Sequence, residues 1–170
     1  MTISARQSRP SLPALLLLTI GMAVVVLSAL AFQYIGGYVP CALCLLQRWP
    51  YYIGVPIGVV AIIGQVAGFP PALVRALVWL LFLIMIVSAG MGVYHSGVEW
   101  GWWPGPETCS TSINAVATDT DSLFNDLSHQ KGPSCTEASL RVLGLSFAGW
   151  NVLTSLALAA IAWRGARKGA

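Results

Sequence analysis

The stretch CALCLLQRWPYYIGVPIGVVAIIGQV, residues 41–66, sets two cysteines, separated by two residues, at the head of a long apolar run whose one charge is Arg48. Outward from it, no charge occurs between Arg9 and Arg48, between Arg48 and Arg75, or between Arg75 and Glu99. A helix needs about 20 apolar residues to cross a bilayer. The uncharged runs therefore predict spans over about 12–32, 45–66 and 72–94, and a fourth over about 142–163, bounded by Arg141 and Arg164. The 170 residues are 56% hydrophobic and 9% charged. A soluble domain carries about 25% charge, so the composition indicates one all-α membrane domain, a bundle of four transmembrane helices, and excludes a soluble core.

The basic residues orient the bundle. With both termini inside, the inner side holds Arg6, Arg9, Arg75, Arg164, Arg167 and Lys168, and the outer side Arg48, Lys131 and Arg141. All six acidic residues then fall in the outer loop between the third and fourth spans, none inside a helix. The net charge of +3 reflects this topology and does not indicate nucleic-acid binding. The first run exceeds the roughly 7–15 apolar residues of a signal-peptide core, so it is expected to be a retained span.

Two outer loops follow, about 33–44 and 95–141. The longer one opens with Trp100, Trp102 and Trp103, suited to the membrane–water interface. Within it, residues 121–127 predict a short amphipathic helix with Leu123, Phe124 and Leu127 on one face. Pro70 and Pro71 end the second span, and Pro56 is expected to bend it.

The chain's four cysteines, Cys41, Cys44, Cys109 and Cys135, all fall on the outer side, where disulfides persist. Cys41 and Cys44 lie at the outer N-terminus of the second span, where free N–H groups lower thiol pKa values and favour the reactive thiolate. A structural disulfide is the alternative reading. A four-cysteine zinc site lacks the second C-x2-C, no metal is expected, and haem attachment is disfavoured because Leu45 follows Cys44. Arg48, four residues after Cys44, shares its helix face. It either snorkels to headgroups or stabilises a Cys44 thiolate and donates to an electron acceptor beside it. That acceptor must be lipid-soluble and take two electrons; a quinone, whose carbonyl oxygens accept hydrogen bonds, fits. His95, at the outer end of the third span, is a candidate to hydrogen-bond the acceptor or move a proton, while His129 reads as a loop residue. Cys109 and Cys135 bracket a polar loop flanked by Pro104-Gly105-Pro106 and Gly132-Pro133. They are either a structural bridge or a pair on a segment free to meet a soluble partner.

The stretch Pro40-Cys41-Ala42-Leu43-Cys44-Leu45-Leu46-Gln47-Arg48, the Tyr94-His95 element, and the order of Cys109 and Cys135 resemble the bacterial disulfide bond formation protein B family along essentially the whole chain. The resemblance implies an inner-membrane oxidoreductase with cytoplasmic termini and periplasmic cysteines, which reoxidises a soluble thioredoxin-fold oxidant of the DsbA type and passes the electrons to ubiquinone or menaquinone. It implies two redox-active disulfides, Cys41–Cys44 and Cys109–Cys135. Cys109 would be attacked by the reduced partner, Cys135 would exchange onto Cys41, and Cys44 would give electrons to a quinone held beside Arg48 and His95. Gln47 stands where the family often carries an acid.

Three rivals remain. A vitamin K epoxide reductase-like bundle carries its CxxC late, on the last core helix. A non-enzymatic scaffold would hold its outer loop by structural disulfides. A transporter is disfavoured by the absence of an acid in any predicted span.

Overall fold

The computed structural model describes residues 10–106, 109, 135, 136, 138 and 140–167. The amphipathic helix expected over 121–127 lies outside them. Five helices occur among the described residues: α1 Leu12–Tyr34, α2 Ala42–Leu46, α3 Trp49–Val66, α4 Pro71–Glu99 and α5 Phe147–Arg167. A two-stranded hairpin, β1 Arg141–Val142 and β2 Leu145–Ser146, precedes α5. The protein is an all-α membrane protein: Leu12–Tyr34, Ala42–Val66 and Pro71–Glu99 are each long and apolar enough to cross a bilayer.

The long helices pack around one seam, with α4 against α5 the most extensive contact. Leu15, Leu18 and Met22 of α1 meet Tyr51 and Ala61 of α3, Val78, Leu81 and Met85 of α4, and Leu158 and Ala162 of α5. Leu17, Ile20, Val24 and Leu27 on the other face of α1 are 55% to 61% exposed. An apolar belt of this extent suits lipid rather than water. With lipid outside, burial of apolar surface does not drive helices together, and close approach and polar contacts take its place. Gly58 lets α3 approach α1, since a Cβ there would collide with Thr19 Oγ1.

A buried polar cluster ties α3, α4 and α5. The Tyr51 hydroxyl donates to Asn151 Oδ1 at 2.7 Å and lies 2.8 Å from Ser155 Oγ. Asn151 Nδ2 donates to the Ser88 carbonyl at 3.1 Å, and Ser155 Oγ to Ser88 Oγ at 2.9 Å. Asn151→Leu is expected to lower the unfolding free energy in detergent by about 1 kcal/mol. An unchanged denaturation midpoint would show that the cluster does not stabilise the bundle.

Three predicted boundaries are corrected. The second span is not one helix from 45 but α2 and α3, broken at Gln47 and Arg48. Pro50 has no N–H for the Leu46 carbonyl and is tolerated only in the first turn of a new helix, where it stands; Pro56 sits inside α3 without interrupting it. The third span does not end at Tyr94. Nothing from His95 to Val98 stops a helix, and α4 runs on to Glu99, before Gly101 turns with φ +71°. The fourth helix does not begin at 142: Leu143 and Gly144, both at positive φ (52° and 84°), form a two-residue hairpin turn. The helix starts at Phe147, where Ser146 Oγ accepts from the Gly149 N–H at 3.2 Å, and ends with Arg164 and Arg167 in its last turn.

Candidate redox site

The five-residue α2 and the corner after it set the site. Cys41 is the N-cap of α2, and its Sγ accepts the Cys44 N–H at 3.2 Å. The two sulfurs are 2.6 Å apart. His95 enters from the last turn of α4, buried, with Nε2 3.6 Å from Cys41 Sγ. Its Nδ1 is hydrogen-bonded to the Gln47 side-chain amide at 2.8 Å, which fixes the ring and leaves Nε2 facing the sulfur. Hydrogen bonds thus converge on Cys41. The Cys44 thiol foremost, then His95 and the Cys44 amide, outweigh the opposing effect of burial and hold the Cys41 thiol well below its ordinary range, at about 5. Sequence alone points to Cys44, beside Arg48, as the stabilised thiolate; in the reduced pair the structure favours Cys41.

Arg48 does not share an unbroken helix with Cys44, yet both line one cavity. Its guanidinium donates to Gln33 Oε1 and, at 3.3 Å, to the Ala29 carbonyl of α1. These bonds hold the planar fork at the wall and leave further N–H groups free to donate. The cavity, about 410 Å³, lies between α1, the α2–α3 corner and α5. Val25, Ala29, Phe32 and Phe147 give it apolar walls, and Cys44, Arg48, His95 and Asn151 supply its polar points. Cys41 is not among the lining residues.

Cys109 and Cys135 form a disulfide, with Cα atoms 5.5 Å apart. Cys135 is fully buried and packs in one cluster with Cys41, Leu43 and Val98, against which Cys44 and Cys109 also lie. All four cysteines are therefore gathered at one end of the bundle. The CxxC is divided in its surroundings: Cys41 faces the Cys135 side and Cys44 faces the cavity.

Several residues here escaped the sequence reading. Gln33 and Asn151 are neutral polar residues within apolar runs, and such positions in a span are the available signal. Gln47 emerges as the His95 partner. Glu99, read as a loop acid, has a side chain only 5% exposed, with Oε1 3.9 Å from His95 Nε2. An acid does therefore lie in one of the long apolar helices, as the last residue of α4, and it belongs to this site. Trp103, read as an interface anchor, stacks on Tyr94 with ring centroids 6.0 Å apart and donates to its carbonyl at 2.8 Å. It lies so close over Gly97 that a Cβ there would collide with its ring.

A dithiol, Cys41 buried and Cys44 half-buried, with an imidazole at one sulfur and an apolar cavity at the other, suits a thiol oxidoreductase built on membrane helices. The sequence profile of the family described as Disulfide bond formation protein DsbB matches residues 11–164. The chain belongs to that family, and its role is in disulfide bond formation. It is 29% identical over 163 residues to Disulfide bond formation protein B of Saccharophagus degradans, covering 90% of this chain and 92% of that one. It is 28% identical over 160 residues to the uncharacterized protein RP370 of Rickettsia prowazekii, covering 93% and 89%. No solved structure matches the chain.

Proposed function

We propose that this protein is a quinone-dependent oxidase of a soluble periplasmic dithiol protein of the DsbA type. α5 is the fourth crossing of a single membrane domain. Both termini lie in the cytoplasm, and the four cysteines lie on the periplasmic side of the bacterial inner membrane. The observation that carries this reading is the divided CxxC, with Cys41 packed with Cys135 and Cys44 on the cavity wall.

The chemistry follows from that division. A thiolate of the reduced partner attacks the Cys109 sulfur of the Cys109–Cys135 disulfide and forms a mixed disulfide, releasing Cys135. The Cys135 thiolate attacks Cys41 of the oxidised CxxC, and Cys44 leaves as the thiolate. In that state Cys44 is no longer hydrogen-bonded to a Cys41 thiolate and faces the cavity beside the Arg48 guanidinium, which offsets its charge. Apolar walls, a forked donor and a sulfur at one rim fit a quinone ring, and the volume is in the usual range for small-molecule sites. A bound quinone, ubiquinone or menaquinone, supplies an acceptor for two electrons and two protons. Arg48 would hold it by hydrogen bonds and the apolar walls would exclude water, while His95, whose two ring nitrogens face Gln47 and Cys41, would line the site beside it.

The test is quinone reduction by the purified protein in detergent, with a reduced thioredoxin-fold dithiol protein as donor and ubiquinone and menaquinone analogues as acceptors. Turnover with one of them is the expected result. No turnover with either, from folded protein with oxidised cysteines, would favour the scaffold held by structural disulfides.

A further inference from the structure

Glu99 is unexplained by the relay. It is in the last turn of α4, its side chain is 5% exposed, and Oε2 has no hydrogen-bond partner among the described residues. A carboxylate out of water stays charged only beside a cation or several donors. Oε1 is 3.9 Å from Nε2 of His95, one helical turn away, and the same Nε2 is 3.6 Å from Cys41 Sγ. Gln47 meets the other ring nitrogen, Nδ1, with its side-chain amide. That amide, turned so that Oε1 accepts from Nδ1–H, leaves the Nε2 lone pair to the Cys41 proton. Carboxylate, imidazole and thiol therefore meet at one nitrogen atom.

We propose that Glu99 is a positioning residue: acting through His95, it supports the imidazolium formed when Nε2 takes the Cys41 proton, and so holds Cys41 as the thiolate. The proposal rests on the reading of Cys41 and Cys44 as the redox pair. The donor's second thiolate displaces Cys109 from the mixed disulfide. Cys109 then attacks Cys135, which re-forms the Cys109–Cys135 bond and releases Cys41 to give the Cys41–Cys44 dithiol. Closing the Cys41–Cys44 disulfide removes two electrons and two protons from it. The electrons go to the quinone, which takes up two protons as the quinol. The Cys41 proton leaves its sulfur for Nε2, and the Cys41 thiolate is then free to form the S–S bond.

Two effects of Glu99 oppose each other. Its charge repels a nearby thiolate directly, and it favours the same thiolate by stabilising the cation between them. The second effect works across two close contacts, 3.6 Å from sulfur to Nε2 and 3.9 Å from Nε2 to the carboxylate, and is given the larger share. Among the described residues, the other charged and titratable groups around His95 are Cys44, at the Cys41 sulfur, and Arg48, Tyr38 and Tyr51, on the walls of the cavity that His95 also lines.

The experiment uses full-length protein carrying Cys109→Ser and Cys135→Ser, reduced and free of quinone, so that only the CxxC reports. The thiolate absorbance near 240 nm, taken against the oxidised form, is followed from pH 4 to pH 9. Glu99→Gln keeps the shape and removes the charge. It is expected to raise the midpoint of the first thiolate by on the order of one pH unit. Glu99→Asp should raise it less, and in a His95→Phe background Glu99→Gln should have no further effect. A midpoint that stays or falls in Glu99→Gln, or one that rises equally without His95, would overturn the proposal. Should Glu99→Gln not fold by circular dichroism, Glu99→Asp, alone and with His95→Phe, decides by the same criterion. No quinone enters the titration, so absent quinone turnover in the wild type would strike the relay and not the role of Glu99.

Discussion

Cys44→Ser is expected to stop steady-state quinone reduction, by about a thousandfold or more, as loss of an essential nucleophile does, and to leave the partner reaction intact. Cys44 is the cysteine of the pair that lines the cavity, while Cys109 and Cys135 are joined to each other and pack on the Cys41 side. In the Cys44→Ser protein the Cys109–Cys135 disulfide still oxidises one equivalent of reduced donor, and the reaction then halts because Cys41 has no second sulfur with which to close. Stopped-flow or quenched assays should show a single turnover of donor oxidation with no quinol formed. Continued turnover in this variant would remove Cys44 from the electron path. Loss of the first donor equivalent would show that the two cysteine pairs are not separable in the way their packing suggests.

Arg48→Ala is expected to raise the quinone concentration needed for half-maximal rate by about ten- to a hundredfold, the range for losing a charged hydrogen bond of about 1.5–3 kcal/mol. Donor trapping at Cys109 should change little. Arg48 also bonds Gln33 and the Ala29 carbonyl, so part of any loss comes from loosening α1 against the α2–α3 corner. Arg48→Lys separates the two contributions. It keeps the charge but cannot make both bonds with one planar fork, so it should recover only part of the quinone affinity. Equal losses of quinone use and donor trapping in a well-folded Arg48→Ala protein would contradict the assignment of Arg48 to the cavity.

The parts of the site legible in the sequence were those with a fixed chemical signature. Two cysteines three apart at the head of an apolar run, with Arg48 as the run's one charge, pointed to one locus, and the cavity brings Cys44, Arg48 and His95 together there. Long uncharged stretches revealed the helices because hydropathy integrates over a whole span. The same averaging hid what matters over two or three residues. It passed over the break imposed by Pro50, the hairpin turn at Leu143 and Gly144 inside an apolar run, and the last turn of α4 beyond Tyr94. That final turn carried the largest consequence, because it moved Glu99 from an outer loop into the His95 environment. Gln33, Gln47 and Asn151 were not legible as partners because a neutral amide carries no periodic signal; only the fold shows which group each one meets.

The divided CxxC is tested most directly by mapping the disulfides in a trapped complex. Wild-type protein would be mixed with a thioredoxin-fold donor that keeps its attacking cysteine and lacks the resolving one, and the bonds identified by mass spectrometry after acid quench. The expected result is a donor–Cys109 bond together with a Cys41–Cys135 bond, with Cys44 as the free thiol. A donor–Cys109 bond beside an intact Cys41–Cys44 disulfide and a free Cys135, or a donor bonded directly to Cys41 or Cys44, would contradict the relay.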